Sequence, residues 1–138
     1  MKKITTLFFI AASLFLLNAC SNPSKTADTN NSTAMVKSID EKGFESLVKK
    51  ENSVIIDVRT TAEIAEGFIP GATVFADVNG AAFEASIAQL DTSKSYIVYC
   101  RSGARSSKAA NIMLSKGFKN VYNLTGGILN WKGATIKP

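Results

Sequence analysis

The sequence predicts an α/β fold: one domain on a mostly parallel five-stranded sheet with helices on both faces. Three observations carry that expectation. Short strand-like apolar runs alternate with helical ones from Met35 onward, the pattern of strand–helix–strand units. The run Val54-Ile55-Ile56-Asp57-Val58 is nearly continuous in apolar residues, as strands covered on both faces are. The stretch 35–138 is also of the length that suits a single domain.

Each element follows from its own signals. Residues 36–39 make a weak strand, and 41–50 a helix whose Phe44, Leu47 and Val48 share one face. The strand 54–58 comes next. Thr60-Thr61-Ala62-Glu63 fits a capping box and opens a short helix that Gly67 closes. Residues 73–75 form a brief strand, and 81–90 a helix with Phe83, Ile87 and Leu90 on its apolar side. A strand at 96–99, a helix at 105–114 stopped near Gly117, a strand at 121–124 and a short helix at 127–132 complete the order.

The first 34 residues read differently. Met1-Lys2-Lys3 is a positive head, and residues 4–17 are a largely apolar run that spans roughly 21 Å as a helix. That falls short of the about 30 Å of a bilayer core, so residues 1–19 read as a signal peptide. Leu17-Asn18-Ala19-Cys20 resembles the lipobox of bacterial lipoproteins, which implies cleavage before Cys20 and lipidation of that residue. Residues 20–34 lack any aromatic or large aliphatic side chain and read as a flexible tether, holding the domain on the order of 20 Å from its anchor. The expected location is therefore extracytoplasmic and membrane-anchored, facing the periplasm if the cell is Gram-negative.

Composition narrows the chemistry. The 138 residues hold 16 Lys+Arg, 11 Asp+Glu, two cysteines and no histidine. Without histidine there is no Ser-His-Asp or Cys-His couple and no imidazole metal ligand. Two cysteines cannot build a four-cysteine zinc site, so no metal and no cofactor are expected. The basic excess is mild and forms no block interleaved with aromatics, which argues against a nucleic-acid partner. A monomer is expected.

In parallel sheets ligands bind beyond the carboxyl ends of the strands. Cys100 stands there, immediately after the strand 96–99, in the run Cys100-Arg101-Ser102-Gly103-Ala104-Arg105-Ser106 that leads into a helix. A thiol in such a turn faces successive backbone N–H groups and the positive end of a helix, and both favour the thiolate. Two arginines add to that field. A lone cysteine after a strand is ordinarily a small buried hydrophobe, but an inert one needs neither arginine nor glycine beside it.

With these residues in view, the sequence resembles the rhodanese family of sulfurtransferases. Ile56-Asp57-Val58-Arg59 with Glu63, Gly67-Phe68-Ile69-Pro70-Gly71-Ala72, the loop from Cys100 to Ser106, and Leu124-Thr125-Gly126-Gly127 with Trp131 resemble four family motifs in the family's order. The resemblance implies that Cys100 takes a sulfane sulfur from thiosulfate or a persulfide, holds it as a cysteine persulfide and passes it to a thiol or other thiophilic acceptor. It implies that the amides of Arg101, Ser102, Gly103, Ala104 and Arg105 stabilise that anion, with the hydroxyl of Ser106. Arg101 is expected to face the substrate's charge. Arg105 is either an anion ligand or a partner of Asp57 or Glu63, and Asp57 and Arg59 are expected to tie loops together at the sheet edge. Phe68 departs from the motif, where histidine is usual.

Two rivals remain at this level. Dual-specificity phosphatases resembling rhodaneses in fold place five residues between loop cysteine and arginine. Here four separate Cys100 from Arg105, a ring sized for one sulfur rather than a phosphoryl group. A non-catalytic carrier or docking module is the other. The anchor has its own test: the Cys20→Ala chain should leave the membrane fraction, and its retention there would refute lipidation at Cys20.

Overall fold

The computed structural model describes residues 35–51 and 53–138. The signal peptide, Cys20 and the tether lie outside the described residues. In chain order the elements are β1 (Lys37–Ile39), α1 (Glu41–Glu51), β2 (Val54–Asp57), α2 (Thr61–Ala65), β3 (Ala72–Phe75), α3 (Phe83–Ala88), β4 (Ser95–Tyr99), α4 (Ala104–Ser115), β5 (Asn120–Leu124) and a 3₁₀ turn at Gly127–Asn130. The sheet runs β1-β5-β4-β2-β3, and every neighbouring pair is parallel. The fold is the expected α/β sheet of five strands, with β4 in the middle.

Strand side chains alternate between two buried faces, as a period of two requires. On β4, Tyr96, Val98 and the following Cys100 join one core with Ile56, Val58, Phe83, Ile87, Ala109, Ala110, Met113 and Val121. Ile97 and Tyr99 join the other, with Phe44, Ile55, Ile69 and Leu124. Helices α3 and α4 thus cover one face, and α1 with the chain around Trp131 covers the other. The ring of Phe44 meets that of Trp131 edge-on at 4.9 Å.

Boundaries depart from the sequence reading where local hydrogen bonds decide them. The capping box holds: Thr60 Oγ1 accepts from the Glu63 amide, and the Glu63 carboxylate accepts from the Thr60 amide at 3.1 Å. Helix α3 is shorter than 81–90 because the preceding chain is committed to a turn, with the Gly80 amide on the Asp77 carbonyl and the Phe83 amide on the Gly80 carbonyl. Ala82 then caps without a side-chain bond. The last helix ends at Asn130, since Glu41 Oε1 accepts from the amides of Lys132 and Gly133 at 2.9 and 3.1 Å and draws the chain toward α1.

The chain also closes on itself near β3. Phe68 and Ile136 exchange two backbone bonds, 2.8 and 3.0 Å, which stitch the C-terminal segment to the turn after α2. The Phe68 ring packs against Phe75 at 5.0 Å. Ile97 is fully buried in the central strand. Ile97→Ala should therefore lower unfolding free energy by about 2–5 kcal/mol, measured by urea denaturation, with an unchanged slope.

Candidate active site

Cys100 leaves β4 at the centre of the sheet's carboxyl edge and has no solvent exposure. The chain turns at Gly103, whose φ of +99° is left-handed and strained for any residue with a Cβ. That turn aims the Gly103 amide at the Cys100 sulfur, 3.1 Å away, and brings the Ser106 hydroxyl within 3.4 Å of it. Burial opposes ionisation of the thiol. The Ser106 hydroxyl and the amides of Ser106, Gly103 and Ser102 outweigh it, leaving Cys100 below the usual thiol range.

A second turn locks this loop from outside. The amides of Ile128 and Leu129 donate to the carbonyls of Cys100 and Arg101 at 2.9 and 3.1 Å. Gly127, at φ +56°, lies so close that a Cβ there would come within 2.7 Å of the Arg101 carbonyl carbon. Only glycine permits that approach. The Gly126-Gly127 pair read from the sequence thus serves the cysteine loop by fixing its carbonyls, which turns the loop's amides inward.

Asp57 and Arg59 form a buried pair beside the loop, 0 % and 5 % exposed. Arg59 Nε and Nη2 donate to the Asp57 carboxylate at 2.9 and 2.6 Å, and Nη2 also donates to the Gly67 carbonyl at 2.8 Å. Burial alone would lower the arginine's pKa, but the Asp57 bond and charge raise it. The Tyr99 hydroxyl accepts from the Ile69 amide at 3.1 Å, and burial, with Asp57 next, pushes its pKa up. Together these bonds tie β2, β4 and the turn after α2 at one edge.

Arg105 sits on Glu63 as a two-pronged pair, 2.8 and 2.6 Å. Its charge also reaches Cys100. Arg101 is exposed and, with Arg59, Glu63, Glu66, Ile128 and Leu129, lines a cleft of ≈ 340 Å³. A second cleft of ≈ 310 Å³ lies over Asp40, Glu41, Leu124 and Trp131 and includes no residue of the 100–106 loop.

The expected residues therefore separate by position. Gly103 and Ser106 stand on the sulfur with Cys100, Ser102 gives it a backbone amide while its residue is exposed, and Ala104 is exposed along the loop. Arg101 faces the cleft and Arg105 is held by Glu63. Sequence reasoning missed Asn123, 8 % exposed on β5, whose Oδ1 lies 2.6 Å from the Ser106 hydroxyl. The available signal was parity: Asn123 lies two residues from the inward Val121, a polar side chain at a core position. Phe68 is not among the residues lining the cleft.

The fold and the site define an α/β domain with a buried thiol, held by amides, at the end of the central strand of a parallel sheet. Known proteins narrow the class. A family model described as a rhodanese-like domain matches residues 40–134. A sulfurtransferase of Allochromatium vinosum is 35% identical over 98 residues, covering 70% of this chain and 89% of that protein. A putative sulfurtransferase of Bacillus subtilis is 37% identical over 94 residues, covering 68% and 86%. The crystal structure of a rhodanese-like domain protein from Staphylococcus aureus has the same fold, with a TM-score of 0.66 at 24% identity over 75% of this chain and 99% of that one. The chain belongs to the rhodanese-like family of sulfurtransferases.

The Glu63–Arg105 pair carries a pH dependence whose sign is fixed. Arg105 first, with the Thr60 bonds behind it, lowers Glu63 from 4.5 to about 2 against the opposing effect of burial. A depressed carboxyl pKa gives stability that is present above the unfolded value and lost as pH falls through the folded one. Thermal melts should show wild type more stable than Glu63→Gln above about pH 4.5, with the gap closing toward pH 2. A gap that stays constant would mean the pair adds no charge-dependent stability.

Proposed function

We propose that this protein is a membrane-anchored sulfurtransferase that moves a sulfane sulfur through a persulfide on Cys100. The observation that carries the reading is the enclosed sulfur with the Gly103 amide at 3.1 Å and the Ser106 hydroxyl at 3.4 Å. A nest of this size suits one additional sulfur anion, and its donors favour the thiolate that must attack.

The reaction balances without an added oxidant or reductant. The Cys100 thiolate attacks the outer sulfur of thiosulfate or of a persulfide. The S–S bond of the donor breaks, and sulfite or a thiolate leaves with the electron pair. The outer sulfur now carries the charge on Cys100 and lies among the loop amides. An acceptor thiolate then attacks that sulfur, and Cys100 departs as the thiolate it was. Two half-reactions of this kind give ping-pong kinetics.

Arg101, exposed at the lip of the cleft, meets the donor's negative charge. Asp57 and Arg59 tie the end of β2 to α2 and the turn after it beside the site. The lipobox-like Leu17-Asn18-Ala19-Cys20 places the reaction outside the cytoplasm in this proposal, where a lone thiol of lowered pKa needs a persulfide donor or reductant to escape oxidation.

Incubating the full chain with thiosulfate or glutathione persulfide should add the mass of one sulfur to the peptide containing Cys100. Cys100→Ser should take up none and lose turnover. If neither donor loads Cys100, the enzymatic reading fails and the non-catalytic module replaces it.

A further inference from the structure

Ser106 faces more hydrogen-bond acceptors than it has protons to give. Its hydroxyl has one proton and three acceptors in reach: Asn123 Oδ1 at 2.6 Å, the Gly103 carbonyl at 3.1 Å and Cys100 Sγ at 3.4 Å. The Gly103 carbonyl already accepts from the Ser107 amide at 3.0 Å. Asn123 therefore competes with the sulfur for the proton. Ser106 is fully buried and Asn123 8 % exposed, so an unmatched donor or acceptor in this chain of groups is costly.

The two states of the sulfur ask opposite things of Ser106. A neutral thiol donates, so the Ser106 oxygen accepts from it and passes its own proton to Asn123 Oδ1. An anionic sulfur only accepts, so the Ser106 proton must turn toward it. The Ser106 oxygen then needs a donor behind it. A side-chain amide has both an acceptor and a donor on one carbon, and half a turn of Asn123 places nitrogen where oxygen stood.

We propose that Asn123 is a positioning residue for the Cys100 anion: its amide turns from accepting the Ser106 proton to donating to the Ser106 oxygen, releasing that proton to the sulfur. The inference rests on Cys100 as the reacting thiol. It is tested by alkylation rather than turnover, so it stands or falls apart from the sulfur-transfer reading.

The charged groups around Cys100 stay constant in the neutral variants. They are Arg101 on the loop, Arg105 on α4 with Glu63 from α2, the Asp57–Arg59 pair at the end of β2, and Asp77 after β3, which acts on Arg105. The experiment follows the rate of iodoacetamide alkylation of the full chain against pH, by mass spectrometry of the Cys100 peptide. Asn123→Ala should raise the midpoint by roughly half to one pH unit, the size of one net hydrogen bond. Asn123→Asp, nearly isosteric and an acceptor only, should raise it further.

The same substitutions in a Ser106→Ala background separate relay from packing. There Asn123→Ala should produce no shift, and Asn123→Asp only the smaller one due to its charge. Shifts of equal size in both backgrounds, or a midpoint that stays or falls in Asn123→Ala, would overturn the proposal. So would variants that melt early while keeping the wild-type profile.

Discussion

A sulfur atom with no solvent exposure becomes an anion only if the protein supplies what water would have. The effective penalty for burying a charge is several kcal/mol, and a hydrogen bond to a charged group returns roughly 1.5–3 kcal/mol. Two or three well-aimed donors are therefore the minimum, and the loop provides three amides and one hydroxyl. Amides can converge on one atom only if the backbone reverses sharply, which Gly103 allows at φ +99°. They can all point inward only if their carbonyls are occupied outside, which the Ile128 and Leu129 amides do across Gly127. The two glycine-dependent turns are one device seen from its two sides.

The charged residues around this device mostly serve to hold it. Arg59 is consumed by Asp57 and by the carbonyls of Glu63 and Gly67, so α2 and the turn after it are fixed to the edge of β2. Arg105 is consumed by Glu63, fixing the first turn of α4 to the same short helix. Helix α2 has no buried residue of its own and depends on these polar ties. Arg101 is left as the exposed cation of the loop, facing a cleft that also carries Glu63, Glu66 and the exposed Leu129. An anion entering that cleft meets Arg101 as the loop's exposed cation, while Arg105, held by Glu63, still acts on Cys100 through its charge.

Much of this was legible in the sequence because it rests on local patterns. The nearly continuous apolar run along 54–58 and the strand-like run at 96–99 are properties of consecutive residues, and both segments are buried on two faces as their composition requires. The capping box at Thr60 and Glu63 is equally local, as is the cysteine's place between a strand and a helix. What could not be read joins residues far apart in the chain. The hydrogen bond from Ser106 to Asn123 depends on the β4–β5 register, which pairs Val98 with Asn123. The choice of Glu63 rather than Asp57 by Arg105 depends on where α2 comes to rest. The early end of the last turn depends on Glu41, at the other end of the domain.

The absence of histidine acquires its meaning from the same arrangement. Histidine is the side chain whose ordinary pKa lies between pH 5 and 8, and this chain has none. Glu63, held near 2, is already ionised below that range, while Arg59 and Arg105 are pushed further toward the charged form. The Glu63–Arg105 tie that holds the start of α4 therefore keeps its charges across neutral pH. Phe68, at the motif position where the sequence resemblance leads one to expect histidine, places an apolar ring against Phe75. The activation of Cys100 is left to amides and a hydroxyl, donors that do not titrate near neutral pH.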